Sequence, residues 1–482
     1  MKPGLRKSLL VVAITATMAA PVANATNGYF MHGYSTKEQG LGGAGAALSQ
    51  DALASANNPA GMVFVGDRMD LGLQIFSPSP RKYTVTGNPP APNGTGLENF
   101  CAGGSAAGGP YVPPCAPPFS VNPGSVESEN DFFLIPHFGY NMMLDQTSAV
   151  GVSVYGNGGM DTKYTGGSAT ALNPNTFAID GPFPGTYGAG TAGVHLEQLF
   201  GNFSYAYKVN DKHALGVSLI LVGQRFRAQG LENFSGFSLD PNNMSGNRNS
   251  YSYGGGLKFG YQGEVSKGVR AGVSYQTKMK MGEFAEYKGL FAESGSFDIP
   301  STYTIGISVD LGNNGTVVAD VQRINYSDVA SISNPISRLT DGSCMDALNA
   351  TLAAGGTPTP ASGAGCLGGS NGAGFGWEDM TIIKLGYQWI MGNNTYRVGY
   401  SHGDQPIPQS ETLFNILAPA VIKDHLTFGM TMPMGSDQEL NLAAMYGLNN
   451  SVKGANPFDG GATQIEIEMS QWDIQAGWAW KF

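Results

Sequence analysis

Two short strings in this sequence match motifs that carry chemistry in other proteins. Residues 399–403 read Gly-Tyr-Ser-His-Gly and match the GxSxG nucleophile elbow, in which the Ser401 hydroxyl would attack an ester. The base must lie within hydrogen-bond reach of that hydroxyl, and His402 and His425 are the candidates. The elbow needs a strand that turns into a helix, whereas these residues run from an apparent β-strand into a loop that contains proline. A lipase is therefore a distant alternative, and we predict no enzymatic activity.

The second string, residues 40–45, reads Gly-Leu-Gly-Gly-Ala-Gly and matches the dinucleotide-binding pattern GxGxxG. No strand precedes it, and no parallel strand–helix–strand unit follows it. Because the pattern lacks the context in which it binds a nucleotide, we predict neither this cofactor nor any other.

Composition separates the chain from ordinary soluble enzymes. Glycine supplies 70 of 482 residues, roughly twice its usual share, while charged residues make up only 13%. The low charge content extends along the whole chain, which favours one large architecture with apolar surface on both faces. The net charge of −10 and the absence of Lys/Arg clusters argue against nucleic acid as a partner.

The N-terminus has the pattern of a signal peptide. Lys2, Arg6 and Lys7 precede an apolar run over residues 9–20, and Ala-Asn-Ala at residues 23–25 supplies the cleavage pattern. The run is shorter than the roughly 20 residues of a spanning helix, so an N-terminal membrane anchor is the weaker alternative. We assign residues 1–25 to a signal peptide and predict that the protein is exported.

The four cysteines form two groups that are local in sequence. Cys101 and Cys115 lie in one Gly/Pro/Ser/Ala-rich segment, and Cys344 and Cys366 lie in another. Of the three possible pairings we favour the local one, because each pair then closes its own loop in an oxidising compartment. Neither pair has the CxxC spacing and nearby histidine of a metal site, so no metal is predicted.

From residue 67 onward, segments of alternating apolar character are joined by short polar turns and by long loops in turn. The short turns are assigned at residues 145–146, 210–212, 266–268, 312–314, 392–394 and 435–437. The long loops are assigned near residues 79–130, 159–194, 232–248, 285–296, 331–376, 405–422 and 450–462. These connections join fourteen strands, and short turns at one end with long loops at the other are typical of an outer-membrane barrel. We predict an all-β, fourteen-stranded antiparallel transmembrane barrel over residues 67–482.

The last strand has the clearest alternation. One face carries Trp472, Ile474, Ala476, Trp478, Trp480 and Phe482. The other face carries Gln471, Asp473, Gln475, Gly477, Ala479 and Lys481. The first face suits hydrocarbon and the second suits a barrel lumen. The terminal Phe482 also resembles the C-terminal aromatic signal of bacterial outer-membrane proteins.

Residues 26–66 do not follow the strand pattern. A glycine-rich turn is followed by an Ala-rich stretch over residues 46–56 that predicts a short helix. The stretch ends in Asn57, Asn58, Pro59, Ala60, Gly61 and Met62. About forty residues are too few for a stable domain, so we expect this segment to pack inside the barrel.

The segment resembles the N-terminal hatch of the FadL family, the outer-membrane transporters of long-chain fatty acids and other hydrophobic compounds. The resemblance rests on residues 28–62, and most specifically on Asn-Pro-Ala-Gly-Met. A second similar stretch runs over residues 396–429, where Arg-Val-Gly-Tyr and later Asp-His-Leu-Thr-Phe-Gly look like a late part of the family barrel. The resemblance implies a helical hatch, or plug, in the lumen of a barrel in a Gram-negative outer membrane.

The resemblance also implies passive uptake of long-chain fatty acids, with alkanes or monoaromatic hydrocarbons as the near alternative. A general porin and an outer-membrane lipase are more distant alternatives. The expected partners are the hydrophobic ligand, outer-membrane lipid and lipopolysaccharide, and we expect a monomer. Uptake would begin with capture by the long loops and continue through the plugged lumen.

In the family a kink in the third strand is understood to open a lateral window to the membrane. Here the third strand is predicted over residues 148–159. The candidate kink consists of Gly156, Asn157, Gly158 and Gly159. Glycine and asparagine permit a bulge, although the same residues could simply begin the second long loop.

Five further residues are candidates for contact with substrate. By strand alternation Lys384 and Arg397 face the lumen, where they could bind a carboxylate or pair with lumen Asp and Glu. In the hatch, Phe30, Met31 and Leu41 could contact an acyl chain or serve as plug packing.

Overall fold

Strands make up most of this computed structural model, which describes residues 27–89, 119–172, 179–312, 314–353 and 359–482. Within these ranges we number the strands β1–β20 in chain order. Their bounds are β1 Arg68–Ser77, β2 Arg81–Gly87, β3 Phe119–Val121, β4 Gly124–Glu127, β5 Phe133–Met143, β6 Ser148–Asp161, β7 Ser168–Leu172, β8 Ile179–Pro184, β9 Gly193–Asn210, β10 His213–Gln229, β11 Ser250–Ser266, β12 Val269–Gln276, β13 Lys280–Met281, β14 Thr302–Leu311, β15 Gly315–Ile324, β16 Met380–Met391, β17 Asn394–Gly403, β18 Asp424–Pro433, β19 Gln438–Ala455 and β20 Thr463–Lys481.

Fourteen of these strands form a closed antiparallel ring, in the order β1, β5, β6, β9, β10, β11, β12, β14, β15, β16, β17, β18, β19 and β20. β1 closes the ring because it pairs with β20 from Arg68↔Lys481 to Ser77↔Trp472, and with β5 along its other edge. Within the described residues each strand of the ring pairs with a neighbour on both sides, as a sheet in lipid requires because an unpaired backbone group there would be costly. The predicted fourteen-stranded barrel is confirmed.

The alternation predicted from sequence decides which side chains face the lumen. In β9 the even-numbered residues from Val194 to Ala206 are buried, whereas the odd-numbered ones are partly or fully exposed. In β20, Gln471, Asp473 and Gln475 are buried inside the ring, as predicted. In these two strands exposed aromatic and aliphatic side chains therefore face the hydrocarbon, and buried glutamine, asparagine and aspartate side chains face inward.

The six short turns lie where the sequence placed them, although Asn313 of the fourth turn is outside the described residues. The long loops contain more strand than predicted. β2 lies inside the predicted loop at residues 79–130. It pairs with the N-terminal part of β20, at the upper end of the barrel where the long loops lie, from Arg81↔Met469 to Gly87↔Thr463. β19 continues to Ala455, inside the predicted loop at residues 450–462, where it pairs with the first residues of β20. β2 and β4 extend the sheet beside β20.

Short helices occur in the N-terminal segment and in the loops. The α-helices are Thr36–Gln39, Ala54–Asn57, Ala330–Ser333, Met345–Ala353 and Thr412–Asn415, with a turn of left-handed backbone at Ala292–Gly295. The 3-10 helices are Pro59–Phe64, Glu232–Phe237, Pro241–Asn243, Ala285–Tyr287, Tyr326–Asp328, Ile336–Leu339, Gln409–Glu411 and Pro457–Asp459. None of the helices in the described residues is long and apolar enough to cross a membrane.

The hatch, residues 27–66, lies inside the ring and contacts the inner faces of many strands. Its first residues join a large apolar cluster with the upper barrel and the loops. Its last residues form a smaller cluster with Ala149, Ala206 and Ala214, close to the short turns. The predicted signal peptide at residues 1–25 lies outside the described residues.

Candidate functional site

The motif at residues 57–62 holds the hatch against the barrel wall. The Asn58 amide donates to the carbonyl oxygens of Ala46 (2.7 Å) and Tyr261 (2.8 Å). Its side-chain oxygen accepts from the backbone N–H of Ala60 (3.2 Å) and so caps the following 3-10 helix. One asparagine thus links two parts of the hatch to β11.

Glycines on the facing strands make room for this motif. Gly216 of β10 and Gly260 of β11 are direct neighbours in the sheet. A Cβ on Gly216 would lie 2.4 Å from the backbone of Pro59, and a Cβ on Gly260 would lie 2.1 Å from the side-chain oxygen of Asn58. Any larger residue would therefore push the hatch away from the wall.

The glycine-rich string at residues 40–45 also serves close packing. Gly42 has a φ of 69°, a left-handed conformation that favours glycine, and it lies against β16 and β17. The backbone N–H groups of Gly45 and Ala46 donate to one carboxylate oxygen of Asp320 on β15, at 2.8 and 3.0 Å. These amides therefore bind the barrel wall.

Lys384 and Arg397 face the lumen as predicted, and both contact the hatch. The Lys384 ammonium donates to the carbonyl oxygen of His32 (3.0 Å). The Arg397 guanidinium donates to the hydroxyl of Thr431 (2.7 Å) and to the side-chain oxygen of Gln50 (2.9 Å). Both cations are buried. Their role in substrate binding stays a prediction, since the structure places them on the hatch.

A buried ion-pair network ties the hatch to the barrel at the end of the short turns. Lys37 of the hatch lies 2.7 Å from Glu439 of β19, and Arg68 of β1 lies 3.3 Å from the same carboxylate. Arg68 also pairs with Asp70 (2.7 Å), and Lys481 pairs with Glu439. Glu439 is thus the shared partner of three cations.

Ser401 does not lie in a nucleophile elbow. It is an inward residue of β17, and its hydroxyl is 3.4 Å from Nδ1 of both His32 and His425. The two imidazole rings are 4.7 Å apart between centroids. All three side chains are buried between the hatch and the wall, where no strand turns into a helix.

The kink predicted in the third barrel strand corresponds to a β-bulge in β6. Gly156 pairs with Leu199 and Gly158 with Gln198, so Asn157 is an extra residue in β6. The bulged carbonyl of Asn157 accepts from the backbone N–H of Met31 in the hatch (2.7 Å). The bulge is therefore bound to the hatch.

Beyond the bulge, β6 separates from its neighbour β5. The β5–β6 pairing ends at His137↔Tyr155. Further along, residues 133–136 of β5 pair only with β1, and residues 156–161 of β6 pair with β9 and the hatch. Pro136, which lacks a backbone N–H, is the first residue past the paired stretch. The wall is therefore unpaired between β5 and β6 over this part of its height.

An apolar cavity lies under the loops at the same end of the barrel. It has a volume of about 40 Å³. Among the described residues Ser331 is the one lining residue with a polar side chain, and the apolar lining residues include Phe226, Leu231, Phe234, Phe291, Phe375 and Phe414. Since a benzene-sized ligand occupies a cavity of roughly 150 Å³, these side chains must move apart to admit one.

The cavity borders the end of β6. Thr162 follows β6 directly, and its backbone N–H donates to the carbonyl oxygen of Val194 (2.9 Å). Its hydroxyl donates to the carbonyl oxygen of Leu417 (2.8 Å). Val194 and Leu417 both line the cavity. The cavity and the unpaired part of the wall are thus joined through one residue.

The hatch residues predicted to contact substrate fall into two places. Phe30 and Met31 belong to the large apolar cluster, with the ring of Phe30 6.1 Å from that of Tyr326. Leu41 packs separately with Ala44 and the barrel wall. None of the three lines the cavity. The lining residues were missed because they come from separate loops, and their only sequence signal is phenylalanine in glycine- and asparagine-rich segments.

A buried carboxylate connects two of the loops that roof the cavity. Glu411 accepts from the backbone N–H of Ile336 (2.8 Å) and from the hydroxyl of Ser410 (2.9 Å). Burial raises the pKa of the Glu411 carboxyl above its usual value, and these hydrogen bonds oppose that shift. The contact positions the helix that carries Phe414.

The predicted disulfide between Cys344 and Cys366 is present, with a sequence separation of 22 residues. Leu367, which lines the cavity, follows Cys366 directly. The other predicted pair, Cys101 and Cys115, lies outside the described residues. The Cys344–Cys366 bond closes the segment that precedes one wall of the cavity.

We expect the double variant Cys344→Ser/Cys366→Ser to loosen this loop and leave the barrel folded. In the chain-entropy description, a disulfide over a loop of this size contributes about 3 kcal/mol. Trypsin should therefore cleave after Arg338 faster in the variant, and the same change should follow reduction of the wild-type protein. Unchanged cleavage at Arg338, or unfolding of the barrel itself, would contradict this expectation.

Comparison with known proteins decides the family. The model described as "Outer membrane protein transport protein (OMPP1/FadL/TodX)" matches residues 16–472, nearly the whole chain. The chain belongs to this family. It is an outer-membrane transporter of hydrophobic compounds in a Gram-negative bacterium and not an enzyme. This family assignment replaces the general-porin and lipase alternatives.

Solved structures of this family share the fold. The Pseudomonas putida toluene transporter TodX is 17% identical, with 94% of this chain and 99% of that chain covered and a TM-score of 0.58. A Pseudomonas aeruginosa FadL homologue is 15% identical, with 94% and 100% covered and a TM-score of 0.60. The Ralstonia pickettii toluene transporter TbuX is 16% identical, with 94% and 99% covered and a TM-score of 0.54. A comparison with curated protein sequences found no match.

Proposed function

We propose that this transporter releases hydrophobic molecules sideways, from the apolar cavity through the unpaired wall between β5 and β6 into the outer leaflet. The observation that carries the proposal is the end of the β5–β6 pairing at His137↔Tyr155, next to the bulge at Asn157. A cavity bordered by Thr162, at the end of the same strand, supports it.

The lower lumen argues against a straight route to the periplasm. There the hatch is held by Glu439 and its three cations, and by the bonds of Lys384 and Arg397. A hydrophobic molecule would have to separate these buried charges, each of which costs several kcal/mol when left unpaired. The lateral route avoids these ion pairs and returns the molecule to hydrocarbon.

For the substrate class, the cavity favours uncharged hydrocarbons, alkanes or monoaromatics, over long-chain fatty acids. Burial of apolar surface in such a cavity contributes about 25 cal/mol per Å². A fatty acid would also bring a carboxylate, which needs a charged or hydrogen-bonding partner when it is buried. In the part of the chain that the structure describes, the lining offers one polar side chain, the Ser331 hydroxyl, and that donates to a carbonyl oxygen. Lys384 and Arg397 are bound to the hatch.

The test places a cation at the edge of the cavity with little change in side-chain volume. Leu290 lines the cavity and is only partly buried, so a lysine there can reach water. In cells that depend on this protein, we expect Leu290→Lys to lower uptake of labelled toluene and hexadecane several-fold relative to labelled oleate. The matched variant Leu290→Met keeps the volume without the charge, and its uptake should match that of wild type.

The same assay can reject the proposal. Wild-type uptake of oleate that equals or exceeds uptake of both hydrocarbons would reverse the preferred substrate class. If Leu290→Lys and Leu290→Met changed hydrocarbon uptake equally, the cavity would not be on the transport path.

A further inference from the structure

A polar depression lies on the outside of the barrel beside the apolar cavity, with which it shares the lining residue Val194. It measures about 380 Å³ and lies where the upper ends of β6, β9 and β10 meet the loops. Its lining includes Asn130, Lys163, His195, Arg225, Arg227 and Asn249. The depression is therefore rich in hydrogen-bond donors.

Strand alternation shows that this depression faces outward. In β10, Phe226 and Ala228 are fully buried inside the barrel, whereas Arg225 is half-buried and Arg227 is exposed. In β9, His195 alternates in the same way with buried neighbours. The cations thus lie on the face of these strands that, lower down, meets lipid.

The depression lies at the height of the lipid headgroups. Below Gly223, the outward residues of β10 are Leu215, Val217, Leu219 and Leu221, all exposed and apolar. Ten residues of strand tilted by about 40° rise roughly 25 Å along the membrane normal, the height of the apolar band of such barrels. β10 begins at His213, so the residues after Gly223 leave the hydrocarbon.

Two exposed tyrosines support the placement of the depression at the height of the lipid headgroups. Tyr251 and Tyr253 of β11 are 56% and 72% exposed, and they pair in the sheet with Arg225 and Gly223. Aromatic side chains mark the boundary between hydrocarbon and headgroups in outer-membrane barrels. Arg225 is therefore at that boundary, and Arg227 is one step beyond it.

The acidic groups near the depression are already occupied. Asp161 is buried against His195, and Glu197 pairs with Arg225 at 2.7 Å. Lys163 pairs with Glu129, but both side chains are more than 40% exposed, so this pair is weak.

Arg227 makes no ion pair within the part of the chain that the structure describes. Arg227 can therefore bind an anion at the rim, and the Lys163 ammonium, which has three N–H donors, can bind the same anion while it keeps its pair with Glu129. Neither cation lines the apolar cavity of the proposed transport route.

We propose that this depression binds a phosphate group on the headgroup of an outer-leaflet glycolipid. Arginine binds phosphate through paired, charge-assisted hydrogen bonds, and a second cation adds to the attraction. The amides of Asn130 and Asn249 can donate to the remaining phosphate or sugar oxygens. The acyl chains of the same lipid would lie along the apolar band directly below, which favours a lipid phosphate over a soluble one.

The test uses the purified full-length protein and two forms of one lipid, bisphosphorylated lipid A and its dephosphorylated derivative. Native mass spectrometry measures the dissociation constant for each. We expect the wild type to prefer the phosphorylated form, and Arg227→Glu/Lys163→Glu to weaken its binding about thirtyfold or more, since each cation near a charged membrane surface contributes separately. Binding of the dephosphorylated form should be unchanged.

The matched control is Lys453→Glu on β19, which lies far from the depression around the ring and is also exposed. We expect this variant to bind like wild type, and all variants to keep the heat-dependent gel shift of a folded barrel. An equal loss in Lys453→Glu, or none in the double variant, would overturn the site. Binding of inorganic phosphate as tightly as lipid A would overturn the lipid source.

Discussion

Deleting Asn157 is expected to reduce uptake of hydrophobic substrates at least about tenfold, while Asn157→Ala should leave uptake near that of wild type. Asn157 is the extra residue between the Gly156↔Leu199 and Gly158↔Gln198 pairs. Its deletion removes the bulge, and all the remaining residue pairs between β6 and β9 stay in register. The straightened strand can then pair with residues 133–135 of β5, beyond Pro136, and close the wall. A destabilisation of the open wall by about 1.4 kcal/mol relative to the closed wall corresponds to a tenfold reduction in uptake.

The alanine variant separates the backbone bulge from the side chain. Within the described ranges the hydrogen bonds of the Asn157 side chain are long, 3.4 Å to Tyr34 and 3.4 Å to Gln198, so its removal should cost little. Uptake of labelled toluene or hexadecane is the measurement, with the amount of folded protein in the outer membrane as the control. Uptake that survives the deletion would contradict lateral release, and equal losses in both variants would assign the effect to the side chain.

Replacing Glu439 by glutamine is expected to loosen the hatch and let ions pass. Lys37, Arg68 and Lys481 share this carboxylate, and Lys37 and Arg68 are themselves buried. Removal of one partner from a buried ion pair typically costs about 3–5 kcal/mol, because the remaining charge stays buried without compensation. Glutamine keeps the shape of the side chain, so the loss is mainly electrostatic. Single-channel conductance in planar bilayers measures the leak.

Glu264→Gln supplies the control. Glu264 lies 3.9 Å from Lys212 at a short turn, and both side chains are partly exposed, so its loss should change neither conductance nor stability measurably. If Glu439→Gln showed the same conductance as the wild type, the hatch would not depend on this network.

The barrel could be predicted from sequence because its signals are local. A lipid-facing strand must alternate between apolar and polar side chains, as β20 does from Gln471 to Lys481, and each short turn has its own polar residues. The inward direction of Lys384 and Arg397 follows from the same alternation. The bulge was also predictable, since two glycines beside Asn157 permit it.

The partners of these residues could not be predicted, because they lie far away along the chain. Lys384 binds the carbonyl of His32, 352 positions earlier, and nothing in either local sequence indicates this contact. The bulge at Asn157 indicates an outlet only once β5 is known to stop pairing at His137, which depends on how three strands meet. Loop segments such as β2 pair with the ends of long strands for the same non-local reason.

By itself, the sequence determined the strand count, the turns, the inward and outward faces and one loop disulfide, because each follows from side-chain types over a few neighbouring residues. Only the tertiary structure decided where the apolar cavity lies, which cations the hatch occupies and where the wall is unpaired. Each of these depends on side chains from separate loops and strands meeting across the lumen, and the free energy of such contacts is set by burial and distance in space rather than by spacing along the chain.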